Sequence, residues 1–379
     1  MNETFIVADN VTTPLGWTTG ENFGALLRGQ SGIRCLENSP FSPTPLYAAV
    51  FEESALEATT LQAAWSSGFW SKFERLVLYV VSEALSQTDL EPSDRDTVFI
   101  LSTTKGNIEL LEEANSLSPD LLLHHTARKI AQAIGHKGNP VVLSHACVSG
   151  LAAILVGMRL LRSGRYKHAI VAGADLVSRF VVSGFQSFHA LSNEPCRPFD
   201  QQRKGLNLGE AGGAVVLSID KRKALVKQPI CVKGGTTTND ANHISGPSRT
   251  GEELAQAIAR AMKQAGTPVD FISAHGTATP YNDEMEAKAF YLSGLQEVPL
   301  NSMKGYFGHT LGAAGLIESV MSVESLRENV ILPSLGYVAH GVSQPVNVNR
   351  QTVRRPLQAC LKTASGFGGC NAAVVFGKD

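Results

Sequence analysis

Apolar positions along this chain recur at two alternating spacings. Short runs of strand length stand at Thr4 to Val7, Thr97-Val98-Phe99-Ile100-Leu101, Val141-Val142-Leu143 and His168-Ala169-Ile170-Val171-Ala172-Gly173. Between them the spacing is helical. It predicts a helix from about Thr18 to Arg28, closed by Gly29, and another from Trp70 to Gln87 with Phe73, Leu76, Val77, Val80, Val81, Ala84 and Leu85 on its apolar side. A third runs through Leu121 to Ile134 and stops at Gly135. The small and aliphatic run Leu151 to Leu161 predicts a buried helix behind the Val141 strand. The segment from Gly32 to Ala64 has prolines at 40, 43 and 45 and little periodicity, so it reads as surface loop with short strands. Alternating strands and helices point to the α/β class, with parallel sheets covered by helices.

The pattern also repeats once. Gly209-Glu210-Ala211-Gly212-Gly213 runs into the apolar strand Ala214-Val215-Val216-Leu217, and Gly366-Phe367-Gly368-Gly369 runs into Ala372-Ala373-Val374-Val375-Phe376. Basic Lys221-Arg222-Lys223 follows the first ending. A boundary near residue 220 therefore divides two related α/β halves, 1–220 and 221–379.

Composition acts mainly by exclusion. With 379 residues, 43% of them hydrophobic, the chain can bury a large core. A formal net charge of -1 provides no field for nucleic acid or a membrane surface. No apolar run is long enough to span a bilayer, and the start, Met1-Asn2-Glu3-Thr4-Phe5-Ile6-Val7, lacks a basic or long apolar leader, so a cytoplasmic protein is expected. Six scattered cysteines form no CxxC pair and no metal-ligand spacing, so reduced thiols and no metal are expected. Neither a P-loop nor a dinucleotide fingerprint is present, and no cofactor is expected.

Candidate chemistry gathers at three turns. Cys147, between Ala146 and Val148, ends a strand and opens a helix. A helix N-terminus offers free N–H groups and about half a positive charge, which favours thiolate and can cradle an oxyanion, as acyl transfer requires. The plainer alternative is a small buried residue. His275, in Ala274-His275-Gly276-Thr277, follows the strand Val269 to Ile272, and a helix with Asp283 and Glu286 on one face comes next. His309 closes the block that starts at Lys304. Imidazole can donate hydrogen bonds or exchange protons near neutral pH, and Lys304 reads either as a surface lysine or as a buried cation tied to Asp283 or Glu286.

With these residues quoted, the chain resembles the elongating β-ketoacyl-[acyl-carrier-protein] synthases, condensing enzymes of the thiolase fold. The likeness rests on the small-Cys-small turn at Cys147, Arg197-Pro198-Phe199-Asp200, Gly209-Glu210-Ala211-Gly212, His275-Gly276-Thr277, the Lys304 to His309 block and Gly366-Phe367-Gly368-Gly369. The resemblance implies two related halves with mixed, mostly parallel sheets in an α/β/α/β/α layering. It implies Cys147 as acyl-accepting nucleophile, His275 and His309 as the decarboxylation pair, and Lys304 ordering the site through Asp283 and Glu286. Phe367 and Gly368 would belong to the oxyanion and gating loop, and Phe185 and Phe188 to the substrate pocket, where Phe188 would shorten the acyl tunnel. The implied partner is an acyl carrier protein bearing acyl and malonyl thioesters, with Lys72 and Arg75 as docking cations, and the assembly a homodimer or heterodimer. A non-catalytic, chain-length-factor-like subunit is the alternative, but such partners generally lack the nucleophile. A degradative thiolase would carry Asn-Glu at 275–276, and an initiating synthase a Cys-His-Asn set. The chain departs from the pattern in a contracted Lys105 to Asn139 segment, at His145, expected as a strand residue facing the neighbouring sheet, and at Cys370, expected as a packing change.

Overall fold

Ten strands form one sheet in the computed structural model, which describes residues 3–60, 69–113 and 118–379. They are β1 (Phe5–Thr12), β2 (Thr97–Ser102), β3 (Val141–Leu143), β4 (His168–Asp175), β5 (Ala211–Ser218), β6 (Ile230–Asn239), β7 (Phe271–Ser273), β8 (Leu300–Asn301), β9 (Ala359–Gly366) and β10 (Cys370–Gly377). Their order across the sheet is β8-β7-β9-β10-β6-β1-β5-β4-β2-β3. Reading outward from the β1/β6 seam, each side visits its strands in the same sequence. The glycine-led strands β5 and β10 hold equivalent places, next to the first strand of their own side.

The helices that matter for the site are α1 (Lys72–Leu85), α2 (Ser149–Arg162), α3 (Arg179–Ser187), α4 (Glu252–Ala265), α5 (Pro280–Leu292) and α6 (Ala314–Glu328). Period-two alternation along the strands explains the layering. Val98, Ile100, Ala169 and Val171 face the core around α2 and α6, while their neighbours Phe99, Leu101, Ile170 and Ala172 face the core under α1. On the other side Ala372, Val374 and Phe376 share the middle core, and Ala373 and Val375 face the one under α4 and α5. Both sheet faces are buried, so the strands read as continuous apolar runs. The result is the expected thiolase-like α/β/α/β/α arrangement.

Two details differ from expectation. The sheet is mixed, but five of its pairings are antiparallel and four parallel. Neither glycine-led strand arrives through a crossover helix: β10 folds straight back on β9 through Gly366–Gly369, and β5 follows an irregular stretch after α3. Within the expected loop segment the strands Arg34–Leu36 and Leu46–Ala49 are followed by a helix, Glu53–Thr60, too short and too polar to show helical spacing. Its last positions, 61–64, lie outside the described residues, as do 114–117 of the contracted segment. Among the described residues no helix is long and apolar enough to cross a membrane.

α1 starts two residues later than the apolar spacing suggests because Ser71 caps it: its hydroxyl accepts from Glu74 N at 3.0 Å and Glu74 accepts from Ser71 N at 3.1 Å. The two middle helices meet at glycine. A Cβ on Gly150 would fall 2.6 Å from the Leu316 nitrogen, and one on Gly315 2.7 Å from the Leu151 nitrogen. Backbone therefore packs on backbone. Gly150→Ala is expected to lower stability by ~1–3 kcal/mol through overpacking, although alanine is intrinsically the better helix former by ~1 kcal/mol. Chemical denaturation checks this, and an unchanged midpoint would contradict the contact.

Candidate active site

The turn between β3 and α2 is strained where chemistry needs it. Ala146 adopts φ +45°, the left-handed region that costs a non-glycine residue ~1–2 kcal/mol. Ser149 holds it there, donating to Ala146 O at 2.6 Å and accepting from His145 N at 2.8 Å. Cys147 follows, buried, just ahead of the helix. Gly366, at the end of β9, lies against it so closely that a Cβ there would sit 2.9 Å from the Cys147 nitrogen. The Phe367 N–H donates toward the Cys147 sulfur. Two backbone N–H groups thus flank the thiol, the arrangement an oxyanion would use. Gly368, at φ +83°, spends its own N–H on Ile244 O at 2.7 Å and serves as an anchor of the loop.

Both histidines converge on this sulfur. His309 Nε2 is 3.1 Å from Cys147 Sγ, and the sulfur and one nitrogen of each of His275 and His309 lie within 4.8 Å of one another. The imidazoles meet edge to face with centroids 5.2 Å apart. They floor a cavity of about 490 Å³. Burial, reinforced by the ammonium groups of Lys304 and Lys362, holds both imidazoles well below the usual histidine range, so they are neutral at pH 7. The same three atoms are close enough to hold a soft metal ion, but those ammonium groups oppose a cation there.

Cys147 itself departs from the thiolate expectation. Burial pushes its thiol up to about 11, outweighing the pull of Lys304 and of the Phe367 N–H. The loss of water dominates, and the proton leaves most readily through a base; His309 is the one within hydrogen-bond reach.

Asp283 and Glu286 do not meet Lys304. Both point from α5 into the His275 loop, where Asp283 accepts from Phe199 N at 2.7 Å and Thr277 N at 3.0 Å, and Glu286 accepts from His275 N at 2.8 Å and Gly276 N at 2.6 Å. Asn282 Nδ2 and Thr363 Oγ1 add side-chain bonds to Glu286 at 2.9 and 3.0 Å, so these carboxylates are committed to the loop. Burial, with Glu286 close by, raises Asp283 to about 7. Lys304, fully buried, pairs instead with Glu318 of α6, whose other oxygen lies 2.7 Å from Lys362 Nζ. Two ammonium groups share one carboxylate, and Lys362 also donates to Ser273 O at 3.2 Å and Ala274 O at 3.1 Å. Lys304 therefore acts on the site through α6 and not through α5.

Phe185 stacks on Phe367 with centroids 5.9 Å apart and turns an edge to His309 at 6.4 Å. Phe188 is half exposed, at 51%, and meets the Phe367 ring edge-on at 5.2 Å. It lines the same cavity as Cys147 from the end of the helix, where it forms the C-cap of α3. His145 is exposed and contacts Cys370 through Nε2 at 2.6 Å. It is therefore not packed on a neighbouring sheet face, and Cys370 is its partner.

The sequence matches the models of the β-ketoacyl synthase N-terminal domain over residues 1–222 and the β-ketoacyl synthase C-terminal domain over residues 230–338. The chain belongs to the β-ketoacyl synthase family. Its relatives include 3-oxoacyl-[acyl-carrier-protein] synthase 2 of Vibrio harveyi, 28% identical over 97% of this chain and 96% of that protein. The tetracenomycin polyketide synthase ketoacyl synthase alpha subunit of Streptomyces glaucescens is 32% identical over 66% of this chain and 63% of that protein. A solved ishigamide ketosynthase/chain length factor structure shares the fold, with TM-score 0.89, 24% identity and coverage of 100% and 99% of the two chains.

Three residues of this β-ketoacyl synthase site are absent from the sequence-based set. Lys362 is the one charge in an otherwise apolar and small-residue strand, and Glu318 stands in the apolar first half of α6, whose other charges cluster at its far end; a lone charge in such a run is the sequence signal for a buried ion pair. Asp175, ending the apolar strand β4, is buried and accepts from Thr103 Oγ1 at 2.8 Å, Thr104 N at 3.1 Å and Gly312 N at 2.7 Å, tying the loop beyond His309 to the loop after β2. Lys72 and Arg75 are not free docking cations: Lys72 pairs with buried Glu210 at 3.1 Å and Arg75 lies 3.9 Å from Glu57. Iodoacetamide alkylation of Cys147, followed by mass spectrometry, is expected to keep accelerating from about pH 7 through about pH 10, as a thiol titrating at about 11 must. A plateau near neutrality would indicate a thiolate–imidazolium pair instead.

Proposed function

We propose that the protein is a 3-oxoacyl-[acyl-carrier-protein] synthase that joins an acyl group held on Cys147 to a malonyl group by decarboxylative Claisen condensation, in fatty acid, polyketide or polyene biosynthesis. The convergence of Cys147 Sγ with the nitrogens of His275 and His309 within 4.8 Å, under an open cavity, carries this reading. In the first step His309 Nε2 takes the thiol proton, the sulfur attacks the incoming thioester carbonyl, and the proton leaves with the departing carrier thiol. The Cys147 and Phe367 N–H groups hold the oxyanion. In the second step the malonyl thioester loses carbon dioxide, and the neutral imidazoles, His309 having exchanged through solvent to the tautomer with its proton on Nε2, donate N–H groups to the enolate oxygen. The enolate carbon attacks the acyl carbonyl, the C–S bond to Cys147 breaks, and the thiolate takes up one proton from solvent in the cavity, the proton that the decarboxylative condensation consumes overall. In this reading the half 1–220 supplies the nucleophile and the half 221–379 supplies His275, His309 and Lys304.

The partner is an acyl carrier protein, and the enzyme works in the cytoplasm as a homodimer or paired with a chain-length-factor-like subunit. A non-catalytic role for this chain is disfavoured by the intact Cys-His-His set. Assayed alone, Cys147→Ala should abolish condensation yet still release labelled carbon dioxide from malonyl carrier. His275→Ala should cut that release roughly 10²–10³-fold, the ~2.7–4 kcal/mol of one lost oxyanion-type donor, while Cys147 is still acylated. Wild-type decarboxylation by His275→Ala would remove that residue from the enolate site. A wild-type Cys147 that is never acylated would overturn the reading as a whole.

A further inference from the structure

The Gly366–Gly369 loop supplies the Phe367 N–H beside the Cys147 sulfur, and its surroundings are asymmetric. One flank is held by backbone and amide groups: Gly368 N donates to Ile244 O at 2.7 Å, Asn239 Nδ2 donates to Gly368 O at 2.8 Å, and Asp240 N donates to Gly369 O at 2.8 Å. The other flank is held by rings alone. Phe367 lies between Phe185, stacked at 5.9 Å and 25°, and Phe188, edge-on at 5.2 Å and 70°. Gly368 and Gly369 both have positive φ, so they give this turn little stiffness of its own. Phe185 is committed to His309 as well, but Phe188 has Phe367 as its one ring partner among the described residues and is 51% exposed. A half-exposed aromatic side chain adds little to core stability, so its contact with Phe367 is separable from folding.

We infer that Phe188 is a positioning residue for acyl transfer: its ring pins Phe367 so that the Phe367 N–H stays aimed at the carbonyl under attack on Cys147. The inference rests on the condensing-enzyme reading. Only steps that build an oxyanion at Cys147 need that N–H; malonyl decarboxylation, served by the imidazoles, does not. An aromatic edge-to-face pair amounts to ~0.5–1.5 kcal/mol, which converts to roughly a 2- to 10-fold change in rate.

The test compares wild type, Phe188→Ala and Phe188→Tyr in two assays: acylation of Cys147 by butyryl-N-acetylcysteamine followed by intact mass, and carbon dioxide release from malonyl-N-acetylcysteamine without acyl donor. Phe188→Ala should lower the ratio of maximal acylation to maximal decarboxylation roughly 2- to 10-fold, and Phe188→Tyr, which keeps the ring, should restore that ratio. Should the alanine variant misfold, Phe188→Leu, of similar bulk without a ring, carries the same expectation. Unaltered acylation, an equal loss in both assays, or a change confined to KM would overturn the inference and leave the condensing reading standing. A wild-type protein that never acylates Cys147 would overturn both.

Discussion

Close approach of α2 and α6 at Gly150 and Gly315 is the constraint on which the site depends. Cys147 immediately precedes α2, and His309 lies a few residues ahead of α6, which also carries Glu318. Bringing the two backbones into contact sets the sulfur 3.1 Å from the imidazole, a distance that no surface loop would hold without support. A wider helix spacing, as any Cβ at either glycine would impose, separates nucleophile from base before it disturbs either sheet. Asp175 reinforces the contact from the side, because its carboxylate bonds both the loop after β2 and Gly312 at the foot of α6.

The buried charges follow from the same packing. Glu318 points from α6 into the middle layer, where water cannot reach, and one carboxylate alone would be costly there. Lys304 and Lys362 approach it from opposite sides, leaving a surplus of positive charge beside two imidazoles. Burial keeps the histidines neutral and that surplus reinforces it, and a neutral imidazole can accept a proton from a thiol or donate to an enolate. One arrangement thus sets both the packing of α6 and the protonation state of the site.

Much of this was legible in the sequence and some was not, for physical reasons. Strand runs and helical spacings placed most elements within two or three residues, since strands buried on both faces leave unbroken apolar runs at Val98 to Leu101 and Ala169 to Ala172. The repeat of glycine-led strands was visible because both fill the same place in the sheet. The partner of Lys304 was not, because Asp283 and Glu286 stand nearer in sequence and spacing along a chain says nothing about which buried carboxylate faces an ammonium across a layer. The state of Cys147 was misjudged because a helix terminus is visible in sequence while the loss of water around a sulfur is not. The cavity lining at Phe188 was expected from its place in the motif, whereas its edge-on contact with Phe367 depends on how the chain folds at the end of α3 and is not written in the spacing.

The seam between β1 and β6 carries a further consequence. Among the described residues β1 and β6 pair over two facing residues, Phe5 with Cys231 and Ile6 with Ile230, yet Cys147 belongs to one side and both imidazoles to the other. Each side therefore holds part of the cluster, and a change in one side alters the fit of the other. A recombination event that replaced everything after residue 220 would preserve every strand and still lose the fit of sulfur to imidazole, unless the new α6 carried glycine where the old one did. Sequence drift in the two sides is thereby yoked together at a handful of small residues, far from any contact with substrate.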